Sequence, residues 1–97
     1  MDRMKNEVAL VIGGTKGIGA AVARRVAQVG GSVVFCGRSE SVGQALEREI
    51  KEGGGEGRFV ACDLERPDHV RNLFERTIET FGKLTVLVNN AGATDAF

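Results

Sequence analysis

"VIGGTKGIGAAVA", residues 11–23, carries an apolar run into a helical pattern through a turn that holds four glycines. Gly13, Gly17 and Gly19 follow a G-x-x-x-G-x-G spacing. Each has a physical use. Gly13 can turn the chain tightly out of a strand, Gly17 lets backbone approach a pyrophosphate with no Cβ in the way, and Gly19 lets the helix sit close to the sheet. A helix that starts here presents unpaired N–H groups and the positive end of its dipole to phosphate oxygens. The same residues could form a tight turn with no ligand, but their place directly after a strand and at the head of a helix favours the nucleotide. Two other phosphate loops fail on spacing. Gly14 and Gly19 frame G-x-x-x-x-G, yet Ala20 and Ala21 stand where a P-loop needs lysine followed by serine or threonine. The G-x-G-x-x-G of other dinucleotide folds does not fit either.

Outward from this turn, four apolar runs have strand character: "VALVIG" (8–13), "SVVFCG" (32–37), "RFVACD" (58–63) and "LTVLVNN" (84–90). They are rich in valine and lack clean alternation, as do strands buried on both faces of a parallel sheet. Three helical patterns separate them. Residues 17–29 place Ile18, Val22, Val26 and Val29 on one face, before Gly30 and Gly31. Residues 40–52 align Val42, Ala45, Leu46 and Ile50, with Glu47, Arg48, Lys51 and Glu52 elsewhere. Residues 67–81 align Val70, Leu73, Phe74, Thr77, Ile78 and Phe81, with Pro67 and Asp68 suited to a first turn and Gly82 to a stop. The order β-α-β-α-β-α-β, with right-handed crossovers, predicts an α/β fold: a Rossmann-type doubly wound parallel sheet of order 3-2-1-4 that stops after its fourth strand. Residues 1–97 are expected to form one partial NAD(P)-binding domain, with "EGGGEG" (52–57) as a flexible connection within it.

Composition narrows the partners. Lysine plus arginine equals aspartate plus glutamate at 13 each, which argues for neither nucleic acid nor an acidic partner. The apolar run of the N-terminus is too short for a signal sequence or a membrane span, so a cytoplasmic protein is expected. Cys36 and Cys62 show no metal-ligand spacing and sit in apolar runs, as small buried hydrophobes do. No metal site is expected. His69 falls in the exposed first turn of the third helix with no second ligand, and Glu49 and its neighbouring carboxylates read as a solvated helix face.

"GGTKGIG" (13–19) together with "VNNAG" (88–92) resembles the short-chain dehydrogenase/reductase family. The resemblance runs the length of the chain but covers only the cofactor-binding half of a typical member. Ile12 departs from it, since the family usually has threonine there, which costs a local hydrogen bond to the turn. The resemblance implies a cofactor site made by the turn residues Gly13, Gly14, Thr15, Lys16, Gly17, Ile18 and Gly19. It adds Asp63 for the adenine amino group, Leu64 beside the ring, and Asn90, Ala91 and Gly92 on the ribose and nicotinamide side. Asn89 is expected to tie neighbouring backbone together.

An NAD-preferring site usually has a carboxylate at the end of the second strand. Here "CGRSE" (36–40) places Gly37 and then Arg38 at that point. Arg38, with Lys16 approaching from the turn, can pair with a 2′-phosphate. NADP(H) is therefore preferred, with NAD(H) possible.

The family's proton-transfer groups, a tyrosine with a lysine four residues on and a serine, lie beyond the N-N-A-G strand. This sequence has no tyrosine, and Lys5, Lys16, Lys51 and Lys83 all precede that strand. No catalytic residue is assigned, and the 97-residue chain alone is expected to be inactive. It is expected to be the N-terminal part of an oxidoreductase that moves hydride between NADP(H) and a small carbonyl or alcohol. The parent would be a homo-oligomer, with no nucleic-acid or membrane partner. The alternative is a non-catalytic nucleotide-binding product, or one that interferes with dimers.

Overall fold

The structure is a computed structural model and describes residues 3–90. The chain runs β1 (Val8–Ile12), α1 (Gly17–Gln28), β2 (Ser32–Gly37), α2 (Glu40–Glu52), β3 (Glu56–Ala61), α3 (Pro67–Phe81), β4 (Val86–Asn89). All pairings are parallel and the sheet order is β3-β2-β1-β4, as the sequence predicts. β3 begins at Glu56, so part of the glycine-rich connection is strand.

Successive strand residues point to opposite faces, and both faces are covered. On one lie Ala9, Val11, Val33, Phe35 and Phe59, packed against Ala20, Ala23 and Val26 of α1 and Leu46 and Ile50 of α2. On the other lie Leu10, Ile12, Val34, Cys36, Val60 and Cys62, against Leu73 of α3. That is why β1 is buried along its whole length and shows no alternation in sequence. The register of β4 starts at Thr85. Its hydroxyl accepts from Val8 N at 2.8 Å, and its own N–H donates to Val8 O at 2.9 Å.

The helix faces are narrower than the periodicity predicts. Ile18 is 72% exposed, and the inward face of α1 is Gly19, Ala20, Ala23 and Val26. In α2, Gly43, Leu46 and Ile50 turn inward while Val42 is exposed. In α3, Leu73 and Thr77 are fully buried and Ile78 is exposed. Small residues bring a helix close to the sheet, so the buried stripe follows glycine and alanine where sequence weighting follows valine and isoleucine. Thr77 is tolerated inside because its hydroxyl donates to Leu73 O at 2.8 Å. Gly82, in the left-handed region at φ 82°, closes α3 with its N–H on Ile78 O.

Candidate functional site

The C-terminal ends of β1, β2 and β4 lie side by side, because the three strands are parallel neighbours with β1 in the middle. The chain leaves β1 in one direction from β2 and reaches β4 on the other side, which makes this the switch point where open α/β sheets bind ligands. The glycine turn crosses it and is held from both flanks. On the β2 side, Gly14 N donates to Cys36 O at 3.1 Å and Gly13 N to Cys36 Sγ at 3.4 Å. On the β4 side, Asn90 N donates to Ile12 O at 3.0 Å and Asn90 Nδ2 to Gly13 O at 3.2 Å. Asn90, expected on the ribose and nicotinamide side, thus also ties the turn to the end of β4.

The glycines answer to different constraints. Gly13 and Gly17 have φ of 81° and 55°, a backbone region that side chains disfavour. Nothing lies within 4 Å of where a Gly17 Cβ would be, so the approach to the backbone there is open. At Gly19 a Cβ would strike Gly13 O and come within 2.8 Å of Gly14 Cα and 2.9 Å of Asn90 Nδ2. Its constraint is contact with the turn itself as well as with the sheet.

The helix that begins here is left electropositive. Lys16 sits at the N-cap of α1 without a side-chain capping bond, and the first turn carries no acidic residue. The other two helices differ. Ser39 accepts from Val42 N at the head of α2, whose first turn has Glu40, and α3 has Pro67 and Asp68. Among the described helices, α1 alone has neither a side-chain cap nor an acidic residue in its first turn, so its N-terminal dipole is left uncompensated, as an anion site requires. Lys16 and Arg38 are both exposed, one on the turn and one just past β2, at the same end of the sheet. Ile18 projects from the first turn of α1, and its exposure suits contact with a ligand better than the core role its spacing suggests.

Asp63 and Leu64 follow β3 at the same end of the sheet. Asp63 Oδ1 accepts from Glu65 N at 3.0 Å, and Asp63 N donates to His69 Nδ1 at 3.1 Å. His69 is thus half-buried and shapes the loop, a partner the sequence reading did not find because it lies six residues on in a different element. Leu64 is 37% exposed beside it. Ala91 and Gly92 lie outside the described residues.

Cys36 and Cys62 are buried free thiols on the face that α3 covers. Burial pushes Cys62 up to about 11, with the neighbouring Cys36 thiol and Asp63 adding to the shift. Burial also raises Cys36, partly offset by the Gly13 N–H and Cys62. Both remain protonated at neutral pH, which suits packing and not nucleophilic chemistry. Among the described residues, no cluster of three or more His, Cys, Asp or Glu side chains could hold a metal ion, and no helix is long and apolar enough to cross a membrane.

Comparison with known proteins finds the same architecture in complete enzymes. The family model "short chain dehydrogenase" matches residues 7–97. A 3beta-hydroxysteroid dehydrogenase of Mediterraneibacter gnavus is 46% identical over 96 residues, 99% of this chain and 35% of that protein. An NADP-dependent (R)-specific alcohol dehydrogenase of Lentilactobacillus kefiri is 44% identical over 92 residues, 94% of this chain and 36% of that one. Among solved structures, a metagenomic short-chain oxidoreductase in complex with NADP superposes with a TM-score of 0.84 at 40% identity, covering 92% of this chain and 40% of its own. An actinorhodin polyketide ketoreductase variant with NADPH gives 0.86 at 38% identity, covering 95% of this chain and 35% of its own. The chain therefore spans about a third of the length of the curated relatives it matches.

Proposed function

The chain belongs to the short chain dehydrogenase family, and from that premise we propose that it holds NADP(H) for an oxidoreductase acting on an alcohol or carbonyl. The observation that carries the cofactor reading is the uncompensated head of α1 beneath a glycine turn whose approach at Gly17 is open. A pyrophosphate fits that cradle: N–H groups face it, no carboxylate in the first turn repels it, and no Cβ obstructs it. When bound, the nicotinamide supplies or accepts hydride.

The residues present then divide the work of binding. The turn from Gly13 to Gly19 takes the pyrophosphate, and Asn90 keeps that turn in shape. Arg38 and Lys16 take the 2′-phosphate, each such charge-assisted contact contributing about 1.5–3 kcal/mol. Asp63 offers its remaining carboxylate oxygen toward the adenine, and Leu64 an apolar edge. The family resemblance assigns Ala91 and Gly92, which lie outside the described residues, to the nicotinamide side. No tyrosine is present among the 97 residues. Proton transfer to or from the substrate oxygen is accordingly assigned to the two thirds of the relatives' length outside the match.

The NADP-dependent alcohol dehydrogenase and the two NADP-bound and NADPH-bound neighbours support the preference. The test is a pair of titrations with NADP+ and NAD+. The protein should bind NADP+ more tightly, and Arg38→Asp should move the ratio toward NAD+ by about tenfold, the worth of one charge-assisted contact. An unchanged ratio would remove Arg38 from the site.

A further inference from the structure

Gly37 is the last residue of β2 and stands where an NAD-preferring site carries its ribose-binding carboxylate. Its glycine is not explained by the backbone. Gly37 is absent from the positive-φ glycines, so any residue could adopt its conformation. What excludes a side chain is a neighbour. A Cβ at Gly37 would lie 2.7 Å from Thr15 Oγ1 and 2.9 Å from Thr15 Cγ2. Both are distances that must be relieved by movement. Thr15 cannot give way cheaply, because a β-branched side chain has few χ1 options. The turn that carries it is also pinned on both flanks, at Gly14 by Cys36 and at Gly13 by Asn90.

We infer that Thr15 sets the nucleotide preference at one remove, by occupying the space through which a carboxylate-bearing side chain at position 37 would have to pass. Thr15 is a positioning residue: Arg38 attracts the 2′-phosphate, and Thr15 keeps out the group that would repel it and bind the ribose hydroxyls of NAD in its place. Removing the threonine's Oγ1 and Cγ2 leaves its Cβ at 3.4 Å from a position-37 Cβ, an ordinary contact. Thr15→Ala therefore opens position 37. This inference rests on the NADP(H) reading above, since it explains how that preference is enforced.

The experiment scores Gly37→Asp in two backgrounds, Thr15 and Thr15→Ala, by titration with NADP+ and NAD+. With Thr15 present, Gly37→Asp should weaken both nucleotides and gain nothing for NAD+. In the Thr15→Ala background it should bind NAD+ about tenfold more tightly than the single variant does, as expected of one added charge-assisted contact. Equal NAD+ affinity in the two backgrounds overturns the inference and leaves the NADP(H) reading intact. Should the unmodified protein bind NAD+ as well as NADP+, that reading fails, and the steric coupling is still decided by stability. Gly37→Ala should lower the melting temperature with Thr15 and have little effect with Thr15→Ala. The same loss in both backgrounds overturns the coupling, whether or not the aspartate variants fold.

Discussion

The residue-scale logic of the site is competition for space above the ends of three strands. Gly19 shows it most directly. Alanine is a better helix former than glycine by about 1 kcal/mol, so Gly19→Ala would stabilise an isolated helix. Here the added methyl meets Gly13 O, Gly14 Cα and the Asn90 amide, two of them backbone of a turn that is itself hydrogen-bonded. Overpacking of this kind costs about 1–3 kcal/mol and should outweigh the propensity gain. We predict that Gly19→Ala lowers the urea midpoint and weakens NADP+ binding together. A midpoint at or above that of the parent would mean that the close packing of turn and helix is not a constraint. The spacing of Gly13, Gly17 and Gly19 was legible in the sequence, because each exception to side-chain sterics needs the same residue type. Thr15 over Gly37, the Asn90 amide on Gly13 O and the His69 ring under Asp63 N were not. The first two join residues brought together only by the parallel register, the third a loop residue and the first turn of α3, and no local pattern marks any of them.

At the scale of elements, strand order and helix limits follow closely from apolar runs and breakers, while the join between α2 and the outer edge of β3 does not. Glu47 reads in sequence as part of a solvated carboxylate face. In the fold its Oε1 accepts from Phe59 N at 2.6 Å, while Oε2 takes Lys51 Nζ at 3.0 Å. Glu47 thus caps an N–H of β3, an outer strand of the sheet, beside the buried Phe59 ring. Burial pushes its carboxyl up, but the Phe59 N–H, then Lys51 and Arg58, more than offset this, so it lies below its ordinary value of 4.5. The sign follows from that direction. A carboxylate depressed in the folded state adds stability that is present above its unfolded value and disappears as pH falls through the folded one. Glu47→Ala should therefore cost about 1–3 kcal/mol near neutrality, the penalty of an unsatisfied N–H. The gap to the parent should narrow as pH drops below 4.5, since protonation removes the advantage of the charged acceptor. Chemical denaturation of both proteins at several pH values reads this. A gap that is constant with pH would assign the cost to lost packing alone. The exposed pair of Arg24 Nε and Glu49 at 2.6 Å, which joins α1 to α2, should contribute far less, being open to solvent.

For the whole molecule the two ends of the sheet are unequal. β3 has Glu47 over its outer edge, whereas no strand pairs with the outer side of β4 among the described residues. β1 is buried throughout, but β4 alternates between half-buried and exposed positions. Leu87, paired in register with the fully buried Leu10, is itself 52% exposed. α3 covers Leu10, Ile12 and Val34 on that face and leaves Leu87 open. An apolar outer strand with no strand paired on its outer side is a template for a second copy. Two β4 strands related by a two-fold axis would pair antiparallel and bury Leu87 twice. Burying the exposed half of a leucine contributes about 1 kcal/mol, so two contribute about 2 kcal/mol, on the order of 30-fold in the association constant. Leu87→Lys removes that term and adds like-charge repulsion across the axis. We predict that the 97-residue chain self-associates reversibly in sedimentation equilibrium, and that Leu87→Lys shifts the transition to at least that much higher concentration. Because Leu87 points away from the glycine turn, the substitution should leave the NADP+ affinity measured at low concentration unchanged. Equal self-association of the two proteins would show that the contact lies elsewhere than β4.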